Sequence, residues 1–216
     1  MNVAPSSFLY NIFKEAGFEN LQIIPNSIEL NKYPFKERGS FTPSLLWVRR
    51  FQTRYNPMLA VKVLENLLLT YPDAELCMVG PEKDGSMKSC RAYAEKYRLP
   101  VKFTGKLKKK EWAEISTDYD IFLNTTNIDN TPISVIESMA LGLAVISTDV
   151  GGMHYLISNK KDGLLVPPKD EVAMTAAVKQ LVENPDETRE MVQKAREKVS
   201  GFDWEIVKEQ WNELLK

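Results

Sequence analysis

"DIFLNTTNIDNTPISVIESMALGLAVIST", residues 120–148, sets two short apolar runs on either side of a polar loop and a helix-period segment. "DIFLNT" (120–125) and "LAVIST" (143–148) are almost continuously apolar or β-branched, the pattern of strands covered on both faces. Between them Ile133, Ile136, Ala140, Met139 and Val135 fill one arc of a helical wheel. Strand, loop, helix and strand in that order predict one unit of a parallel α/β sheet with a right-handed crossover.

The same alternation extends in both directions. Further strands are predicted at "SLLWV" (44–48), "ELCMVG" (75–80), "VKFTG" (101–105) and "GLLVP" (163–167). Helix-period segments lie near 57–70, 84–98, 109–117, 132–141 and 152–158, with two more at 170–183 and 186–199. Repeated six times, this reads as an α/β fold: a doubly wound, parallel, six-stranded sheet of Rossmann-like type. The ends differ. Residues 1–20 read as an isolated helix, capped by Ser6 or Ser7 and closed at Gly17. Residues 21–42, including "LQIIPNSIEL", read as a linker, and 43–200 as the domain itself. Residues 201–216 form a last helix on which Trp204, Val207, Trp211 and Leu214 recur at helical spacing, a stripe expected in a core or an interface.

Composition bounds the function. The 216 residues are 44% hydrophobic and 26% charged with a net charge of -1, so nothing marks a nucleic-acid partner. No apolar run approaches the roughly 20 residues of a transmembrane segment, and none is expected. The first residues lack a secretory signal's basic head and apolar core. Cys77 and Cys90 sit in apolar patterns and read as packing, which with the missing signal gives a cytoplasmic expectation. With His154 as the single histidine, a zinc site of the usual Cys/His kind is not expected.

The loop before the central helix carries the chemistry. Thr131 or Asn130 can cap the helix, and Pro132 suits its first position because no N–H is needed there. Ser134 stands where a capping box would need Glu or Gln, so free amides and the positive dipole end remain open to an anion. Glu137 falls at the edge of the apolar arc. A carboxylate only accepts hydrogen bonds and sugar hydroxyls donate them, so Glu137 suits a ribose. Taken alone, it reads first as a solvated side chain. Gly151–Gly152, after the next strand, permits close backbone approach and a further N–H source. Dinucleotide, P-loop and nucleophile-elbow motifs are all missing, which disfavours a dehydrogenase, a P-loop ATPase or a serine hydrolase.

Residues 120–170, "DIFLNTTNIDNTPISVIESMALGLAVISTDVGGMHYLISNKKDGLLVPPKD", resemble the C-terminal half of retaining GT-B glycosyltransferases of family 4 (glycosyl transferases group 1). The shared pattern is a carboxylate, seven residues, Glu, a small-Met-Ala run, a strand, Gly-Gly and Asp-Gly-Leu-Leu-Val. "IIPNSIEL" is similar to that family's interdomain linker, and the last helix to one that crosses back to the N-terminal domain. The resemblance implies donor-sugar contacts at Asp129 and Asn130 and a ribose contact at Glu137. It implies diphosphate binding by Arg50, with Arg49, Arg54 and the segment Thr131, Pro132 and Ile133, and base-lining residues Gly105, Lys106 and Leu107. The implied reaction is sugar transfer from a nucleotide-diphosphate donor to an acceptor hydroxyl in polysaccharide or glycoconjugate synthesis, a hexosyltransferase activity. It needs no metal and no cofactor beyond the nucleotide-sugar itself, and no residue stands out as a catalytic nucleophile.

Three positions depart from the family's pattern. Asp129 replaces a longer Glu, Arg49 replaces a Gly, and Tyr55 occupies the place of a lysine that would face the leaving diphosphate. Arg49 or Arg54 is expected to restore that charge. The resemblance also implies that residues 1–20 end an absent N-terminal domain, which would bind an acceptor glycan or lipid-linked sugar and allow peripheral membrane contact. The fragment alone would then be inactive. Two other readings are a non-catalytic nucleotide-sugar-binding domain and a sugar-nucleotide epimerase of the same architecture.

Overall fold

The computed structural model describes all 216 residues. In chain order the elements are β1 (Asn2–Ala4), α1 (Ser7–Glu15), β2 (Leu21–Ile23), β3 (Ser44–Val48), α2 (Pro57–Leu68), β4 (Glu75–Val79), α3 (Ser86–Tyr97), β5 (Val101–Gly105) and α4 (Lys109–Ile115). There follow β6 (Ile121–Asn124), α5 (Ile133–Ala140), β7 (Ala144–Thr148), α6 (Met153–Leu156), β8 (Leu164–Val166), α7 (Glu171–Glu183), α8 (Pro185–Ser200) and α9 (Trp204–Leu214). Strands β3 to β8 make a single parallel sheet in the order β5-β4-β3-β6-β7-β8. Counted from its own first strand that order is 3-2-1-4-5-6, and the winding reverses between β3 and β6. All six predicted strands are present.

Alternation along each strand builds the two cores. Leu45, Trp47, Ile121, Leu123 and Ile146 face α2 and α7, whose Leu64, Leu67, Met174 and Val178 cover them. Leu46, Phe122 and Val145 face the other way, onto Ile136 and Met139 of α5 and Ala195 and Val199 of α8. Each fully buried aliphatic side chain contributes about 1.5–3 kcal/mol. Helix starts follow local chemistry: Pro57 opens α2, while Asp170 Oδ1 accepts the Ala173 N–H at 2.8 Å to start α7.

The N-terminal segment is more than a helix. Ser6 caps α1 as expected, but β1 precedes it and pairs in parallel with β2, Asn2 opposite Leu21 and Ala4 opposite Ile23. The short β1 carries too little apolar pattern to register as a strand. The polar stretch to Thr42 is also firmly packed, with Ile24, Ile28, Tyr33, Arg38 and Phe41 buried. Arg38 holds it there by donating to the carbonyls of Lys36, Ser116, Tyr119 and Gly142 and to Asp120 Oδ1 at 3.1 Å. The C-terminal stripe is mostly not core. Within α9 only Val207 is buried, and Trp204 is 43% exposed. The helix is anchored at its start, where Ile28 N–H donates to Phe202 O and Trp204 N–H to Ile28 O.

Candidate functional site

Arg49 directly follows β3 and the loop 125–132 directly follows β6, so both lie beyond the strand tips where the winding reverses. Side chains tie the two loops together. Trp47 Nε1 donates to Thr125 Oγ1 at 2.9 Å, and that hydroxyl donates to Tyr55 O at 2.8 Å. Thr148 Oγ1 donates to Thr126 O at 2.6 Å from the next strand.

Helix α5 begins at Ile133, with Pro132 as its extended N-cap, one residue later than the sequence suggests. No side chain caps it. The N–H groups of Thr131, Ile133 and Ser134 make no hydrogen bond within the protein. Asn130 N–H is the exception to the expected open row, because it donates to Asp129 Oδ1 at 2.9 Å. Ser134 Oγ is buried at the same helix end without a partner. Asn130 Oδ1 accepts from Ser6 Oγ and Thr131 O accepts from Asn26 Nδ2 at 3.1 Å, so the N-terminal segment touches this loop twice.

Gly151–Gly152 acts as a buttress, and of the N–H groups expected there only that of Gly151 stays unbonded. Gly152 N–H is engaged by Asp129 O at 3.0 Å. A Cβ on Gly151 would fall 2.0 Å from Asp129 O, and one on Gly152 would fall 2.1 Å from Asn130 O. The close approach that glycine permits is spent on holding residues 129–130 in place.

The three departures from the family pattern meet in space. Arg49 Nη2 pairs with Asp129 Oδ2, and the guanidinium lies 4.5 Å from the centre of the Tyr55 ring. Arg49 Nε is buried without an acceptor. Arg54 sits on the same loop and reaches Ile128 O at 3.4 Å, while Arg50 is exposed and makes no hydrogen bond or ion pair.

Glu137 is buried at 4% exposure, which removes the reading of a solvated edge residue. Its Oε1 accepts the Tyr33 hydroxyl at 2.5 Å and lies 3.0 Å from Lys109 Nζ, and its Oε2 accepts no hydrogen bond from the protein. Burial first, and then the bond to Glu137, holds the Tyr33 hydroxyl protonated far above its ordinary range. Tyr33 and Lys109 also line a groove of about 1070 Å³ with Lys108, Lys110 and Trp204. Gly105, Lys106 and Leu107 run into α4 just ahead of that groove but do not line it. Gly105 O accepts the Gly80 N–H, and Lys106 is exposed. Sequence reasoning missed Tyr33 and Lys109. No three His, Cys, Asp or Glu side chains cluster at ligating distance.

Residues 34–198 match the family described as "Glycosyl transferases group 1". The chain belongs to the group 1 glycosyltransferases. Among curated relatives of this glycosyltransferase domain, the glycogen synthase of Mycobacterium tuberculosis is 23% identical over 194 residues, covering 88% of this chain and 47% of that protein. The phosphatidyl-myo-inositol mannosyltransferase of Mycolicibacterium smegmatis is 25% identical, with 87% of this chain and 49% of that protein covered. The domain thus spans about half the length of the curated relatives it matches. Among solved structures, Anabaena HepE in complex with UDP superposes with a TM-score of 0.87 at 19% identity, over 99% of this chain and 62% of that one. The sucrose-phosphate synthase of Thermosynechococcus elongatus gives 0.85 at 22% identity, over 99% and 57%. At such identity these likenesses establish the fold alone, the Rossmann-like half of a GT-B architecture. No helix is long and apolar enough to cross a membrane.

Proposed function

We propose that this domain binds the nucleotide-sugar donor of a retaining glycosyltransferase. The observation that carries the reading is the uncapped start of α5, where the Thr131, Ile133 and Ser134 amides are free beside Arg49 and Asp129. Free amides at a helix start, reinforced by arginines, form an anion site matched to a diphosphate. Arg49, Arg50 and Arg54 supply the positive charge. Asp129 and Asn130 take hydroxyls of the donor sugar, and the open Oε2 of Glu137 takes ribose hydroxyls. In this reading residues 105–107 line the base.

In transfer, the bond from the anomeric carbon to the diphosphate breaks while an acceptor hydroxyl attacks on the same face. Negative charge grows on the leaving oxygen, and in this reading the free amides and the arginines stabilise it. Residues 1–20 belong to a preceding acceptor-binding domain in this reading, and α9 returns toward it. The exposed Trp204 of α9 and the contact from Ser6 to Asn130 support that arrangement.

The test is calorimetry of the chain with uridine, adenosine and guanosine diphosphates. Uridine diphosphate is the first probe because the HepE structures hold UDP and UDP-glucose. At least one should bind in the micromolar-to-millimolar range usual for enzyme substrates, about 1 μM to 1 mM. No binding of any of them would overturn the reading.

A further inference from the structure

Arg49 is held by two groups and still has a shielded nitrogen to spare. Nη2 is on Asp129, the guanidinium rests on Tyr55, and Nε has no acceptor. A buried, unpaired N–H on a charged group is costly, and a guanidinium presents its donors as a fork shaped for phosphate. Asp129 is engaged at both oxygens: Oδ1 accepts the Asn130 N–H and Oδ2 holds Arg49. While that pair stands, the two facing atoms, Arg49 Nη2 and Asp129 Oδ2, are turned to each other rather than to a donor. A carboxylate beside the open amides would also repel a diphosphate if its charge were not already compensated.

Resting on the donor-site reading, we propose that Arg49 changes partners when the donor binds. It leaves Asp129 for the diphosphate, and the freed Oδ2 takes hydroxyls of the sugar. Tyr55 is the positioning residue for this exchange, because its ring supports the guanidinium on both sides of the move. The backbone that carries the ring is anchored on each side. Tyr55 O accepts from Thr125 Oγ1, and Asn56 in the left-handed region (φ +46°) turns the chain into α2. The sugar's hydroxyls replace the arginine on Asp129, whereas a nucleoside diphosphate without sugar strips Asp129 of its partner and offers nothing in return. The pair therefore selects for the complete donor over its own product.

Calorimetry of the 216-residue chain with uridine diphosphate and UDP-glucose, and with the adenosine and guanosine counterparts, tests this. Arg49→Ala and Arg49→Met should each weaken the nucleoside diphosphate by about 10- to 100-fold, the worth of a charge-assisted hydrogen bond. Asp129→Asn should tighten the nucleoside diphosphate several-fold and weaken the nucleotide-sugar. Tyr55→Ala should weaken both about 2- to 5-fold, with Tyr55→Phe restoring wild-type affinity because the ring suffices. Thermal melts on each variant confirm folding. If the wild type binds a nucleoside diphosphate and Arg49→Ala binds it equally well, the exchange is wrong while the donor site stands. Weaker nucleoside diphosphate binding by Asp129→Asn also overturns the exchange. If the wild type binds no nucleotide, the donor-site reading itself fails.

Discussion

The Tyr33 hydroxyl reaches from the segment ahead of the sheet to Glu137 Oε1 on α5, 2.5 Å away across 104 positions of sequence. This single bond fixes a carboxylate that the fold buries and leaves its other oxygen open. Tyr33→Phe leaves Oε1 with only the flexible Lys109, and should cost about 1–3 kcal/mol at neutral pH. The same bond has a pH signature. An unfolded tyrosine ionises near pH 10, whereas folded Tyr33 keeps its proton well above that, through burial and the adjacent Glu137. Its contribution is complete below about pH 10 and is lost as pH rises toward the folded value. Denaturant melts between pH 8 and 11 should show stability falling at the alkaline end, less steeply in Tyr33→Phe.

Glu137→Gln keeps the shape of the side chain and removes its charge. The expected change is in discrimination: the wild type should prefer a ribonucleoside diphosphate over its 2′,3′-dideoxy analogue by about 10- to 100-fold, and the variant should lose most of that ratio. Equal ratios in the two proteins, measured by competition binding, would remove Glu137 from ribose recognition.

Gly152→Ala drives a Cβ into Asn130 O, and the backbone there has little room to yield. A loss of about 1–3 kcal/mol is expected, together with weaker nucleotide binding, because the displaced atoms belong to the loop that carries Asp129 and Asn130. Gly39→Ala is the control. A Cβ at Gly39 meets nothing within 4 Å, so its effect should stay within about 0.5 kcal/mol.

Arg38→Met should be the most damaging change outside the site. It removes a guanidinium, on a side chain 2% exposed, that donates to five carbonyls and to Asp120 Oδ1, at a cost of about 3–5 kcal/mol in a thermal or urea melt. Arg38→Lys should recover only part of the loss, because one ammonium cannot reach every acceptor the planar fork serves.

The sheet was legible because its strands are buried on both faces. "SLLWV" and "LAVIST" leave no other use for so many adjacent apolar residues, and observed strand ends fall within about two residues of those expected. The open end of α5 was expected from Ser134 standing three residues after Thr131, but the observed reason lies one residue on: the cap is Pro132, which has no side-chain acceptor, and Val135 stands at the third helical position. What depends on distant partners was not legible. Nothing near Glu137 announces Tyr33 or Lys109, and Arg38, in a polar stretch with Lys32, Lys36 and Glu37, looks like any surface arginine. Gly151–Gly152 was correctly read as a place of close approach, but local sequence could not say that the approaching backbone is residues 129–130. The three departures at Arg49, Tyr55 and Asp129 looked like separate losses in the sequence. Only their contact in space joins them into one device.

The central claim is that the amides at the start of α5 receive a diphosphate. The most direct measurement is a backbone amide NMR titration of the ¹⁵N-labelled chain with uridine diphosphate and its adenosine and guanosine counterparts. The account predicts that Thr131, Ile133 and Ser134 shift most with the nucleotide that binds, with Arg49 and Asp129 following. A nucleotide that binds while those three amides stay unmoved would contradict it.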